Sequence, residues 1–208
     1  MMRLRHIFAI GLLPLIVAAC GGPAEPVWAP DDAVQNATYK HNGPPKITLF
    51  TVINVRSGSG GHSGLMINGD QRLLFDPAGT FKLPFAPERN DVHFGMTERA
   101  LKVYIDYHAR QTWNVRSQEL EVTPQQARLL TKLVQQYGAV PKAQCTLSIT
   151  RILKQVPGFE GISVTYFPNS LSKKLAQISG VKTQLITDDD ADTNHNVLIA
   201  ALRDGADE

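Results

Sequence analysis

Two residues far apart in this sequence have the types that thiol-dependent catalysis requires, and they are His62 and Cys145. His62 follows a glycine-rich turn, Ser57–Gly61, and begins an apolar run that is typical of a β-strand. Cys145 begins a predicted helix whose apolar residues recur at spacings of three and four. A cysteine reacts as its thiolate, and both the first turn of a helix and a nearby imidazolium lower the pKa of a thiol. We therefore expect Cys145 to be a nucleophile, with His62 as its base across a sheet–helix interface.

A base of this kind needs a partner that holds the imidazole in one tautomer, and Asp76 is the candidate. Asn68-Gly69-Asp70 separates two apolar runs, which predicts a β-hairpin. A three-residue loop over 68–70 would pair His62 with Asp76 on one face of the sheet. A two-residue loop would pair His62 with Phe75 and turn Asp76 away. We expect the first register. Asp76 also precedes Pro-Ala-Gly, so a simple role in a turn is the alternative.

The order of these motifs resembles the circularly permuted branch of the NlpC-type, papain-like superfamily, in which histidine precedes cysteine. Its features are a Gly-Gly-His-Ser-Gly-Leu strand, an acid on the next strand, several helices and a cysteine at a helix N-terminus. The lecithin:retinol acyltransferase-like enzymes belong to this branch. The resemblance covers residues 47–187 and implies an α+β fold, a small antiparallel sheet packed against a catalytic helix and accessory helices. It also implies that His62 is the base, Cys145 the nucleophile and Asp76 the orienting residue.

The residue before the cysteine departs from this pattern. Many relatives have Asn or Ser there, and this chain has Gln144. Its side-chain amide is a candidate donor to the oxyanion that forms when a thiolate attacks a carbonyl.

The N-terminus has the pattern of a bacterial lipoprotein signal. Arg3 and Arg5 precede an apolar run, and Val17–Ala19 places small residues directly before Cys20. The run is short for a transmembrane helix and suits a signal peptide over residues 1–19. We expect cleavage at Cys20, acylation of its thiol and new amine, and attachment to a membrane through that lipid.

Gly21 after the anchor, in place of Asp, favours the periplasmic side of the outer membrane as the address. The formal net charge of +2 does not favour nucleic acid as a partner. Lipidation of Cys20 would leave Cys145 as the one thiol of the mature chain, so it has no intramolecular disulfide partner.

The chain divides by composition into a flexible tether, one folded domain and an acidic tail. The sequence has 208 residues, 43% of them hydrophobic, which suits one domain with a substantial core. Gly, Pro, Ala, Asp and Asn dominate residues 20–46, and acidic residues with few bulky apolar ones fill 188–208. Thr97 and Thr123 predict helix N-termini, and the second begins a capping box with Gln126.

We expect neither a cofactor nor a metal. The Ser/Gly turn lacks the lysine and the following helix that a phosphate-binding loop requires. The remaining histidines are scattered, and none has metal-ligand spacing with a carboxylate: His41, His93, His108 and His195.

The predicted activity is attack of a thiolate on an amide, ester or thioester carbonyl, by a hydrolase or an acyltransferase in the cell envelope. Plausible substrates are cell-wall peptides of peptidoglycan or lipid acyl groups. Two alternatives remain from the residues alone. The domain is a non-enzymatic binding or scaffold module in which Cys145 is a small core residue, or Cys145 is a redox-sensing thiol.

Overall fold

Seven strands form one antiparallel sheet in the computed structural model, which describes residues 22–204. The strands are β1 Lys46–Asn54, β2 Gly60–Asn68, β3 Arg72–Phe75, β4 Glu88–Arg89, β5 Val92–His93, β6 Trp113–Glu121 and β7 Lys182–Ile186. Their order across the sheet is β4-β5-β3-β2-β1-β6-β7. The predicted α+β class, built on an antiparallel sheet, is confirmed.

Six helices accompany the sheet within the described residues. They are α1 Asp31–Asn36, α2 Glu98–His108, α3 Pro124–Tyr137, α4 Cys145–Leu153, α5 Pro168–Leu175 and α6 Asn194–Asp204. Thr97 caps α2 by accepting from the Ala100 N–H, and Thr123 forms the predicted capping box with Gln126. None of the helices in residues 22–204 combines the length and apolar character needed to span a membrane.

The two faces of the sheet are covered by different helices. Helices α3, α4 and α5 pack on the face that we call the α4 face, whose core strand residues are Ile47, Leu49, Leu65, Ile67, Leu73 and Phe75. Helices α2 and α6 pack on the opposite face, the α2 face, against Phe50, Met66 and Leu74. Successive strand residues point to opposite faces, so each central strand contributes to both cores.

The hairpin register differs from the expected one by two positions, a shift that leaves each side chain on the expected face of the sheet. Strand β2 pairs with β3 so that Leu65 lies opposite Phe75 and Asn68 lies opposite Arg72, which leaves residues 69–71 as the loop. Gly64, rather than His62, therefore lies nearest to the position opposite Asp76. His62 and Asp76 remain on the same face, because a change of two positions in the pairing leaves the side-chain alternation unchanged.

The segment expected to be a flexible tether is packed against the sheet in its described part. The Ala29 N–H donates to the Glu88 carbonyl at 2.9 Å, and the Arg89 guanidinium lies 4.6 Å from the centre of the Trp28 ring. The Arg72 N–H donates to the Tyr39 carbonyl at 2.8 Å. The edge strand β4 and the start of β3, which β5 does not cover, thus gain partners for backbone groups that would otherwise be open.

The acidic tail also forms structure, since α6 packs on α2 through Leu198 and Ala201. The predicted signal peptide and the lipidation site at Cys20 lie outside the described residues.

Candidate functional site

Cys145 is the first residue of α4, and α4 packs against β2 on the α4 face. The Thr146 hydroxyl lies 3.0 Å from the Ser63 hydroxyl, which ties the start of the helix to the strand. Side-chain bonds do not cap this helix at Gln144, so its first N–H groups remain available to stabilise negative charge. The thiol is 7% exposed.

His62 projects from the other side of the same strand, and the two side chains meet at the edge of β2. Strand β3 pairs with β2 only from Leu65 onward, so it does not cover the edge beside His62 and Ser63. The Ser63 N–H hydrogen-bonds to the Cys145 sulfur at this edge, and the His62 imidazole hydrogen-bonds to the thiol. The predicted proximity of His62 and Cys145 is thus present, although the sheet separates the faces from which they arise.

The pKa of Cys145 is lower than that of an ordinary thiol. Burial raises it, but the hydrogen bond and charge of the His62 imidazolium outweigh burial. The Ser63 N–H and the Thr146 hydroxyl, whose oxygen is 3.8 Å from the sulfur, act in the same direction. These contacts favour a thiolate–imidazolium pair, which is the reactive form of a cysteine nucleophile.

Asp76 holds the His62 ring from the opposite side. Its Oδ1 lies 2.7 Å from His62 Nε2. Burial favours the neutral imidazole, but the Asp76 carboxylate outweighs it and raises the pKa of His62 to about 10. Burial likewise raises the pKa of Asp76, but the His62 charge and hydrogen bond bring it well below its usual value. The pair is therefore ionised, and its geometry fixes the direction of the ring.

Tyr104 of α2 completes this arrangement, and its role was not predicted. Its hydroxyl donates to Asp76 Oδ1 at 2.9 Å, the same oxygen that binds His62. Burial and the neighbouring Asp76 carboxylate raise the pKa of Tyr104 well above its usual value, so it remains a donor. Gly64 makes room for it, because a Cβ at this position would lie 2.3 Å from the Tyr104 hydroxyl.

His108, one helical turn after Tyr104, is the second residue that the sequence did not assign to the site. Its ring stacks on that of His62, with centroids 5.6 Å apart and planes 8° apart. Burial lowers the pKa of His108 to about 4. The Asp76 carboxylate opposes this shift, and the charge of His62 adds to it. The spacing of four residues between Tyr104 and His108 on a buried helical stripe was the one available signal.

A cavity of about 470 Å³ opens beside this network on the α2 face. Its lining includes His62, Gly79, Thr80, Tyr107, His108 and Trp113. The cavity gives small molecules a route to the imidazole.

The glycine-rich turn before His62 is held by α5. The Asn169 side-chain amide donates to the Gly58 carbonyl at 2.8 Å. A Cβ at Gly60 would lie 2.7 Å from the Pro168 ring, so the close approach of turn and helix requires glycine. The glycine-rich pattern thus lets α5 pack closely against the turn that leads to His62.

Gln144 lies directly before the cysteine at the N-cap of α4, with no side-chain bond to the helix. It is half-buried, and the preceding Ala143 adopts a left-handed conformation with φ of 65°. The Gln144 backbone N–H donates to the Pro141 carbonyl at 3.2 Å, so the Cys145 N–H at the helix tip is the backbone donor for an oxyanion formed on a carbonyl that the thiolate attacks.

Potential metal ligands converge in two places among the described residues. His62, Asp76 and His108 each offer one ligand atom, and these atoms lie within 4.8 Å of one another. Asp106, Asp188 and Asp190 form a second, more exposed group around Arg110. The first three residues come from β2, the end of β3 and α2, so their spacing along the chain has no metal-binding signature.

Comparison with known proteins gives no match: no family model, no curated protein and no solved structure is significantly similar to this chain.

Proposed function

We propose that the protein is a cysteine-dependent hydrolase or acyltransferase of the circularly permuted papain-like type. The contact between Cys145, at the first residue of α4, and the His62 imidazole is the observation that carries this proposal. The ion pair between His62 and Asp76 at 2.7 Å supports it, because it keeps the imidazole protonated and oriented.

The reaction begins when the Cys145 thiolate attacks the carbonyl carbon of an amide, ester or thioester. The carbonyl π electrons move to oxygen, and the N–H groups at the tip of α4 stabilise this oxyanion. The bond to the leaving group then breaks, and His62 gives its proton to the departing nitrogen, oxygen or sulfur. A thioester between Cys145 and the acyl group remains. His62 next takes a proton from water or another acceptor, which attacks the thioester and regenerates the thiolate.

Asp76 and Tyr104 are positioning residues in this scheme. Asp76 Oδ1 binds the His62 ring and accepts from the Tyr104 hydroxyl, so both residues act through His62, and neither is hydrogen-bonded to the Cys145 sulfur in the described network. Gln144 remains a candidate oxyanion donor through its side-chain amide, which does not bond to α4, whereas its backbone N–H donates to the Pro141 carbonyl.

We infer further that the enzyme acts in the bacterial envelope, attached by a lipid at Cys20 on the periplasmic side of the outer membrane. This inference rests on the small residues before Cys20 and the short apolar run preceding it. In that compartment the substrates are cell-wall peptides or lipid acyl groups.

Alkylation of Cys145 by iodoacetamide tests the proposal. At about pH 6 we expect rapid alkylation, because the thiolate is stabilised by the imidazolium. His62→Ala should slow it by about 100-fold, since burial alone raises the pKa of the thiol. His195→Ala alters an exposed histidine of α6 and should have no effect. An inert thiol, or one that reacts equally in His62→Ala, would contradict a Cys–His mechanism.

The second candidate is a non-enzymatic binding or scaffold module, and the small exposure of the thiol, 7%, favours it. In that case Cys145→Ala should retain the protein's envelope function in cells. Loss of function in Cys145→Ala, with normal amounts of folded protein, would exclude this candidate.

A further inference from the structure

His62, Asp76 and His108 form a compact set of two imidazoles and one carboxylate. Their ligand atoms lie within 4.8 Å of one another, and His62 Nε2 is 2.7 Å from Asp76 Oδ1. Tetrahedral zinc with bonds of about 2.0–2.1 Å to nitrogen and oxygen needs ligand atoms about 3.3 Å apart. A cation between these atoms thus requires changes of up to about 1.5 Å in their separations, and the stacked imidazole rings must turn so that both lone pairs point at it.

The tautomer of His108 is already that of a metal ligand. Its Nδ1–H donates to the Tyr104 carbonyl one helical turn earlier, at 2.8 Å. This bond fixes the tautomer and leaves the lone pair on Nε2 unprotonated. Metal-binding histidines are commonly held in this way, with the second ring nitrogen bonded to a backbone carbonyl.

The second carboxylate oxygen of Asp76 is an independent indication of a ligand at this place. Its Oδ2 is buried and lacks a hydrogen-bond partner within the described residues, although Oδ1 binds both His62 and Tyr104. A buried carboxylate oxygen without a partner is energetically costly. Gly79 leaves the space beside it open, because a Cβ there would lie 1.8 Å from Oδ2.

The cavity of about 470 Å³ gives a cation access to this set. His62, His108 and Gly79 all line it, and so does Thr80. Because two of the three proposed ligands, His62 and His108, face the cavity, a cation bound there keeps a fourth coordination position for water or another small ligand. Two imidazoles with one carboxylate favour zinc and related transition metals over magnesium or calcium, which prefer oxygen ligands.

We propose that His62, Asp76 and His108 bind a divalent transition-metal cation of the zinc class on the α2 face. The cation takes the place of the proton on His62 Nε2, which leaves to solvent, and Asp76 supplies the oxygen ligand through Oδ2, which otherwise lacks a partner within the described residues. The ion pair and the metal complex are therefore alternative states of the same side chains. The site does not require the proposed thiol reaction, since Cys145 is not a ligand.

Titration of the Cys145→Ser protein with Co²⁺ tests the site, because Co²⁺ substitutes for zinc and absorbs visible light. We expect saturable binding with ligand-field bands of four or five coordination. In this background His108→Gln should weaken binding by about 100-fold, and His195→Gln should leave it unchanged. No binding by Cys145→Ser, or equal binding after His108→Gln, would overturn the proposal.

The spectrum of the unsubstituted protein provides a test that does not depend on the folding of a variant. The complex should lack the near-ultraviolet band of thiolate-to-cobalt charge transfer. A strong band of that kind would show that Cys145 is a ligand and would overturn the proposed set. An inert Cys145 with intact Co²⁺ binding would refute the proposed thiol enzyme and leave the metal site standing.

Discussion

The two faces of the sheet bury similar apolar side chains, but they differ in the polar groups that they enclose. On the α4 face, the Ser63 hydroxyl lies 3.0 Å from the Thr146 hydroxyl, and the Thr150 hydroxyl donates to the Thr146 carbonyl at 2.9 Å. The α2 face encloses titratable groups, among them Asp76 and His108. The α4 face thus holds α4 by apolar and hydroxyl contacts, and the α2 face holds the His62 imidazole by charge.

This difference separates stability from reactivity. Hydroxyl and apolar contacts hold α4 against β2, whereas the ionisation of His62 and Asp76 sets the charge beside the thiol. We expect changes on the α4 face to alter the free energy of unfolding alone, and changes on the α2 face to alter the thiol as well.

The largest effect should follow from truncation in the neutral core. Ile152 is fully buried under α4, and Ile152→Ala should lower the free energy of unfolding by about 2–5 kcal/mol through lost burial and a cavity. Urea denaturation measures this change, with Arg151→Ala on the exposed side of α4 as the matched control. The pH dependence of Cys145 alkylation should stay the same. A shifted pH profile of alkylation in Ile152→Ala would show that packing on the α4 face also controls the reactivity of the thiol.

The pH dependence of the free energy of unfolding should report the His62–Asp76 ion pair on the α2 face. The raised pKa of His62 means that its contribution is fully present below about pH 6.5 and is lost as the pH rises through about 10. The lowered pKa of Asp76 means that its contribution is present above about pH 4 and is lost as the pH falls further. Both shifts describe one ion pair, worth roughly 2–4 kcal/mol.

Chemical denaturation between about pH 4 and 10.5 measures this contribution, and His62→Gln should flatten the alkaline part of the curve. An unchanged alkaline slope in His62→Gln would show that the ion pair does not stabilise the α2 face.

Substitution of two glycines of the same hairpin should lower the stability by smaller and unequal amounts. Gly64→Ala places a methyl group 2.3 Å from the Tyr104 hydroxyl and should cost about 1–3 kcal/mol of stability. Gly69→Ala meets the Ala127 methyl at 3.3 Å on the α4 face and should cost less than about 1 kcal/mol. Thermal unfolding compares the two, and only Gly64→Ala should slow alkylation of Cys145. Equal costs would mean that the Tyr104 contact is not specially constrained.

Tyr104→Phe should have the smallest effect on stability and the most specific effect on the site. Loss of its bond to Asp76 should cost about 1 kcal/mol. The pKa of His62 should rise, because the Asp76 carboxylate loses a donor that shares its charge. NMR titration of the His62 ring measures the shift, and Tyr107→Phe on the same helix is the control. A fall in the His62 pKa would contradict the assigned role of Tyr104.

The sequence predicted the parts of the site that depend on local pattern. Thr97 and Thr123 marked helix starts, and the apolar stripe after Cys145 placed it in the first turn of α4. The even separation of His62 and Asp76 around a three-residue loop placed both on one face. These features repeat over a few residues, so backbone geometry alone relates them.

Tertiary structure decided the rest. The hairpin loop moved to residues 69–71 because the pairing of whole strands sets the register, and the end of β3 left an open edge where Cys145 and His62 meet. Tyr104 and His108 contact Asp76 and His62 because α2 packs on the α2 face of the sheet. Contacts between elements far apart in the chain depend on the folded arrangement, which a local pattern does not encode. For that reason the sequence itself singled out His62 and Cys145, and only the fold revealed the buried groups that set the charge beside them.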